Sequence, residues 1–205
     1  PISGIHDVLF AEIPKKINYK LFSSLDKEFE KYISITCEAD KTLFVSLGAR
    51  WFFKDKTIEG VFHGNLVNFH GSRLPLDAGG GGFSWRIMKG DRIDNQLVHL
   101  VDGGIDTGPI LHTRKSLFPL QCNIPADFES YHRDRFVEFY REFIQMLIEN
   151  SEFTLKYQVD YIGGYNPRLA TDINGWMNWG WGSLDLVRFV NAFDSPYSGA
   201  STCLN

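Results

Sequence analysis

An amide, an imidazole and a carboxylate occur in this chain at short, ordered spacing: Asn68 and His70 in N-F-H-G-S-R-L-P, and Asp106 in G-G-I-D-T-G-P-I-L. Asn68 and His70 are two residues apart, so on an extended segment their side chains point to the same side. They follow the apolar pair Leu66-Val67 and precede a Gly/Ser/Pro loop, which places both at the end of an expected strand. Asp106 follows a second expected strand and can reach them. These three groups together suit acyl transfer. The amide and the imidazole steady a developing oxyanion, and the carboxylate orients the base or relays protons. A structural histidine at a strand end, satisfied by its neighbours, is the alternative reading of His70.

The surrounding elements must deliver those groups to one place. Residues 7–10 read as a short strand, and 19–32 carry apolar residues near helical spacing. T-L-F-V-S-L over 42–47 reads as a buried strand closed by Gly48, and 66–69 as the strand bearing Asn68. Residues 77–82 form a glycine-rich loop that permits close backbone approach; it is neither G-x-G-x-x-G nor followed by G-K-[ST], so a cleft wall is favoured over a nucleotide loop. A helix is expected over 83–89, a strand over 96–101 with a turn at Asp102-Gly103-Gly104, and a returning strand over 110–117. Phe136, Tyr140, Phe143, Ile144 and Leu147 mark an amphipathic helix over 127–150. Strands alternating with helices predict an α/β domain with a mainly parallel sheet, with ligands at the strand ends that carry the loops after 47, 70 and 105. After 150 the chain turns polar and turn-rich, then enters a helix over 183–193 with Ser183 as its N-cap. Two domains are therefore expected: 1–150 as the catalytic domain, incomplete at its N-terminus, and 151–205 as a linker and the start of a second.

Composition narrows the classes. The chain has 205 residues, 43% hydrophobic, with 17 Phe, enough for a real core. Its formal net charge of −4 gives no general electrostatic footprint for nucleic acid. Cys37, Cys122 and Cys203 form neither a metal spacing nor a disulfide framework, which fits a reducing cytoplasm. The six histidines lack metal-binding spacing, so no metal is expected. No apolar run approaches the roughly 20 residues that cross a membrane, so no membrane partner is expected. The chain opens at Pro1 and ends in mid-pattern at Asn205, as a fragment open at both ends would.

Taken in order, Asn68, His70, Ser72, Leu74, Pro75, Gly90, Asp91, His99, Asp106, Thr107 and Gly108 resemble the pattern of the folate-dependent formyltransferases, among them methionyl-tRNA formyltransferases and sugar-nucleotide N-formyltransferases. The segment W-G-W-G-S-L-D-L-V-R-F-V-N-A-F-D-S-P-Y-S-G-A-S-T (179–202) is similar to the opening of the second domain in several of them. The resemblance implies a Rossmann-like domain that moves a formyl group from 10-formyltetrahydrofolate to a primary amine, with Asn68, His70 and Asp106 as the catalytic residues. It implies that backbone groups of Leu47, Gly48, Ala49, Arg50 and Trp51 and of Asp102, Gly103, Gly104, Ile105 and Asp106 grip the pteridine.

The acceptor side departs from the family pattern. Ala78-Gly79-Gly80-Gly81-Gly82 replaces Arg-Gly-Ala-Ala-Pro, Asn95-Gln96-Leu97 replaces Gly-Val-Thr, and Asn178 stands where Asp is common. Ser72 and Arg73 are the candidate acceptor contacts. Arg73 either holds a phosphate or carboxylate in bidentate fashion or pairs with Asp77 or Asp91. The acidic chain favours a nucleotide-linked amino sugar over initiator tRNA as the amine. Hydrolysis of formyltetrahydrofolate and folate binding without catalysis are the further alternatives.

Overall fold

The strand bearing Asn68 and His70 lies inside a four-stranded sheet, in a computed structural model that describes residues 20–39, 41–49, 52–80, 82–159 and 163–203. Contacts group residues 1–38 apart from 39–205. The strand expected at 7–10 lies outside the described residues.

In the first unit, α1 (Lys27–Thr36) begins later than the expected 19 because Asp26 caps it. One carboxylate oxygen accepts from the Glu28 and Phe29 N–H groups at 2.9 and 3.1 Å, satisfying two donors that no helical carbonyl can reach.

The second unit contains β1 (Phe44–Leu47), α2 (Asp55–Gly60), β2 (Leu66–His70), β3 (Ala78–Gly79), α3 (Gly82–Lys89), β4 (Ile93–Leu100), β5 (Ile110–Leu117), α4 (Pro125–Ile148), β6 (Tyr165–Asn166), α5 (Thr171–Asn174) and α6 (Ser183–Ala192). The expected α/β class holds, and the large sheet runs β1-β2-β4-β5. The parallel pairing expected of it is found at β1–β2; β2–β4 and β4–β5 are antiparallel among the described residues. The β4–β5 link, residues 101–109, is too short for the crossover of a dozen or more residues that parallel neighbours need.

One face of the sheet is closed by α4. Phe139 and Phe143 are fully buried against Val67, Phe69 and Val98. Pro125 starts α4 two residues before the expected 127, since its missing N–H costs nothing at a first helical position. Asp127 then accepts from the Asn123 and Ile124 N–H groups at 2.9 and 3.2 Å. A second cluster joins Ile87 of α3, Phe118, Phe128 of α4, and Phe189, Ala192 and Phe193 at the end of α6. The residues after 150, expected to lead into another domain, thus pack in one compact unit with the sheet. Ser183 is the first helical residue of α6 and not its N-cap; Gly182 holds that position without a side-chain bond. The glycine-rich loop is not free throughout, because β3 within it pairs in parallel with β6.

Candidate active site

Sheet register puts the chemistry on the face away from α4. Asn68 lies opposite His99 and Ser46, and His70 opposite Leu97, so these side chains share one face while Val67 and Phe69 point into the core. A cleft of about 320 Å³ opens over them. Its walls are Ser46 in β1, Gly48 and Ala49 after it, Phe52 and Phe53, Gly79 and Gly80, and the loop Val101–Asp106 in part.

Asp106 arrives by an indirect route. Because β4 is antiparallel to β2, the chain leaves β4 beside the start of β2, where the Val101 N–H donates to the Leu66 carbonyl at 2.8 Å. The loop then folds back over the face. Asp102 stabilises it, accepting from the Gly104 N–H at 3.2 Å and the Thr107 hydroxyl at 2.6 Å. Asp106 itself has φ +55°, a left-handed conformation that Asp tolerates better than most residues and that often marks functional sites. Gly108 lets the loop pass: a Cβ there would lie 1.8 Å from the Leu100 carbonyl oxygen. The Gly79 N–H, at φ +94° in β3, donates to the Asp106 carboxylate at 3.3 Å.

The expected triplet is brought together. His70 Nδ1 lies 3.7 Å from the Asp106 carboxylate, beyond hydrogen-bond range and close enough for electrostatic support. His70 Nε2 is 2.5 Å from the Ser72 hydroxyl, which itself donates to the Asp77 carbonyl at 2.6 Å. That pattern assigns the proton to Nε2, as donor to Ser72, and leaves the Nδ1 lone pair facing Asp106 and the cleft. Burial holds the imidazole neutral and pushes its pKa down to about 4; Asp106 opposes the shift, and His99, Arg86 and His132 add to it.

His99 was not among the expected site residues, although its place in V-H-L-V opposite Asn68 carried the signal. Its Nδ1 donates to its neighbour's carbonyl, that of Leu100, at 2.7 Å, so its Nε2 is free to accept from the Asn68 amide N–H at 3.2 Å. The bond fixes the amide orientation and leaves the second N–H of Asn68 for a ligand. Burial lowers the pKa of His99 as well, which keeps that Nε2 an acceptor.

The other expected contacts divide. Gly48, Ala49, Asp102, Gly104 and Ile105 line the cleft; Leu47 and Gly103 do not, and Arg50 and Trp51 lie outside the described residues. Strand alternation explains Leu47: Ser46, its neighbour, points to the face that carries Asn68. Ser72 is buried and serves His70, not the open cleft. Arg73 pairs with Asp77 at 2.9 Å and also with Asp91, so its charge is already neutralised.

Beneath His70 lies a buried polar group that the sequence patterns did not flag. Arg86 donates to the Gly71 carbonyl, while its Nε and Nη1 have no partner. His132 packs on Gly71 and bonds Asp94 at 2.6 Å, and Gln96 donates to the same carboxylate. No group of three or more candidate ligands for a metal occurs among the described residues, and no described helix is long and apolar enough to cross a membrane.

The fold and this cleft are similar to those of formyltransferases. No family model matches the chain. Among curated proteins it is 28% identical over 171 residues to cytosolic 10-formyltetrahydrofolate dehydrogenase of Xenopus laevis, covering 80% of this chain and 18% of that one. It is 26% identical over 140 residues to methionyl-tRNA formyltransferase of Nitrosococcus oceani, covering 66% and 41%. Among solved structures it superposes on WlaRD, a sugar 3N-formyltransferase solved with dTDP and 5-N-formyl-THF, at TM-score 0.62 and 27% identity, covering 75% and 54%. The N-formyltransferase from Helicobacter canadensis, in complex with folinic acid and dTDP-3-aminofucose, matches at TM-score 0.61 and 25% identity, covering 76% and 57%. Relatives and structural neighbours of the chain thus include formyltransferases, in agreement with the resemblance in its motifs. The chain spans less than half the length of these two curated relatives.

Proposed function

We propose that the domain transfers a formyl group from 10-formyltetrahydrofolate to the primary amine of a small acceptor, a nucleotide-linked amino sugar. The observation that carries the reading is a neutral His70 with its Nδ1 lone pair open to the cleft, between Asp106 and an Asn68 amide that still has an N–H to donate. The cleft suits the donor: Phe52 and Phe53 offer flat apolar walls to a pteridine, and the 102–105 loop and Gly48 offer backbone groups for its polar edge.

In the reaction, His70 Nδ1 takes the proton that the amine loses as its nitrogen bonds to the formyl carbon. The Asn68 N–H donates to the formyl oxygen where negative charge develops; one such preorganised donor is worth about 3–4 kcal/mol. Asp106 stabilises the imidazolium through space, and that proton then passes to the departing nitrogen, restoring neutral His70 and releasing tetrahydrofolate and the formamide.

The test is tetrahydrofolate release from 10-formyltetrahydrofolate by the complete protein, with amino-sugar nucleotides, with charged initiator tRNA, or with no amine. Release that depends on an amino-sugar nucleotide is expected. Release with tRNA alone, which the methionyl-tRNA formyltransferase relatives keep as the second reading, would move the protein to translation initiation. Release without an amine would make it a hydrolase.

A further inference from the structure

Asp106 stands 3.7 Å from His70 Nδ1 and 3.8 Å from His99 Nε2, in the loop that leaves β4 and folds back over the sheet. Its φ of +55° is left-handed, a conformation that a non-glycine residue keeps only where its surroundings hold it. Asp102 holds the loop from within, through the Gly104 N–H and the Thr107 hydroxyl. A residue from outside the loop holds the other side. Gln158, in the segment after α4, donates from its side-chain amide to the Asp106 and Gly108 carbonyls, each at 2.7 Å. Both N–H groups of that amide are thereby used. Among the described residues no backbone N–H donates to either carbonyl, so the Gln158 amide is what satisfies them.

Gln158 is itself anchored. Two residues before it, Lys156 makes a two-way backbone bridge with Ile110, the first residue of β5, each N–H donating to the other's carbonyl at 2.9 Å. Residues 154–157 and 159 are exposed, whereas Gln158 among them is half-buried and turned onto the loop. Further along, the same segment also supports the Asp106 carboxylate. Ala78 donates to the Gly164 carbonyl and Gly80 to the Asn166 carbonyl, each at 2.9 Å, and Gly79 between them donates to the carboxylate at 3.3 Å. The chain after α4 thus secures Asp106 twice, at its main chain through Gln158 and at its side chain through β3.

We propose that Gln158 is a positioning residue for formyl transfer, whose amide holds the left-handed turn that sets the Asp106 carboxylate beside His70. It bonds the Asp106 backbone, so it acts through Asp106. Without its two hydrogen bonds the Asp106 and Gly108 carbonyls turn toward water and the turn relaxes. The carboxylate then leaves the place from which it stabilises the imidazolium. A misplacement of about 1 Å in such a group costs up to about a hundredfold in rate. The assignment rests on the formyltransferase reading and adds to it the group that sets Asp106.

Tetrahydrofolate release by the complete protein, with the acceptors named above, tests this in a double-mutant cycle. Gln158→Met keeps the length of the side chain and removes both donors. It is expected to lower kcat about tenfold or more, with 5-formyltetrahydrofolate affinity kept as evidence that the variant is folded. Added to Asp106→Asn, the same substitution is expected to cost little further, because the carboxylate it positions is gone. Gln158→Glu gives a second readout: its carboxylate repels the two carbonyls, and its protonated form donates to one of them. Its activity relative to the wild type should therefore rise as the pH falls. Unchanged kcat in Gln158→Met would overturn the proposal, as would fully additive losses in the cycle or a pH-independent ratio for Gln158→Glu. A wild type that releases no tetrahydrofolate with any acceptor would instead overturn the formyltransferase reading.

Discussion

Lowering the pH from 7 to 5 should destabilise the protein through His70 in particular. Buried between Asn68 and Asp106, the imidazole has a folded-state pKa of about 4 against an ordinary value of 6.5. Between those values the unfolded chain binds a proton that the folded protein refuses. Stability therefore falls as pH drops below 6.5, and the loss is complete below about 4. The full shift corresponds to about 3 kcal/mol, and the part expressed between pH 7 and pH 5 to about 2 kcal/mol. Urea unfolding of the wild type and of His70→Gln at both pH values isolates this contribution, since Gln cannot titrate and the buried His99 remains in both proteins. The wild type should lose about 2 kcal/mol more than the variant. Equal losses in the two proteins would refute the argument that burial keeps His70 neutral. The same shift predicts that turnover persists on the acid side well below pH 6.5, because the base stays unprotonated there.

Other substitutions probe the supports. Gly108→Ala places a methyl 1.8 Å from the Leu100 carbonyl oxygen, so the Asp106 loop must move; a loss of about 1–3 kcal/mol in urea unfolding is expected, and an unchanged midpoint would contradict it. Phe139→Ala, at a fully buried position between sheet and α4, should cost about 3–5 kcal/mol in the same assay. His99→Leu removes the acceptor that orients the Asn68 amide; turnover should fall about tenfold while 5-formyltetrahydrofolate binding is kept, with partial rescue by His99→Gln. Equal loss of binding and turnover would make His99 a purely structural residue.

Much of this molecule was written locally. Alternation of apolar and polar residues over 66–70 set β2 and put Asn68 and His70 on one face, and the aromatic stripe from Phe136 to Leu147 set α4. These are short-range patterns, because side-chain direction follows from backbone period alone. The expected strand over 110–117 coincides with β5 for the same reason. What spacing does not encode is which strands become neighbours and in which direction they run. The antiparallel entry of β4 between β2 and β5 sends the following loop away from His70, and only the fold-back over the sheet, made possible at Gly108 and held by Asp102, returns Asp106 to 3.7 Å from His70. Register also decided that His99 faces Asn68, that Ser72 holds His70, and that Asp77 and Asp91 neutralise Arg73. These pairings join residues distant in sequence, or side chains turned toward one another by a loop, and their energies depend on burial. The chain by itself therefore determined which chemical groups are present and which elements carry them. The tertiary structure decided which nitrogen of His70 is left open and which charges are paired inside the protein.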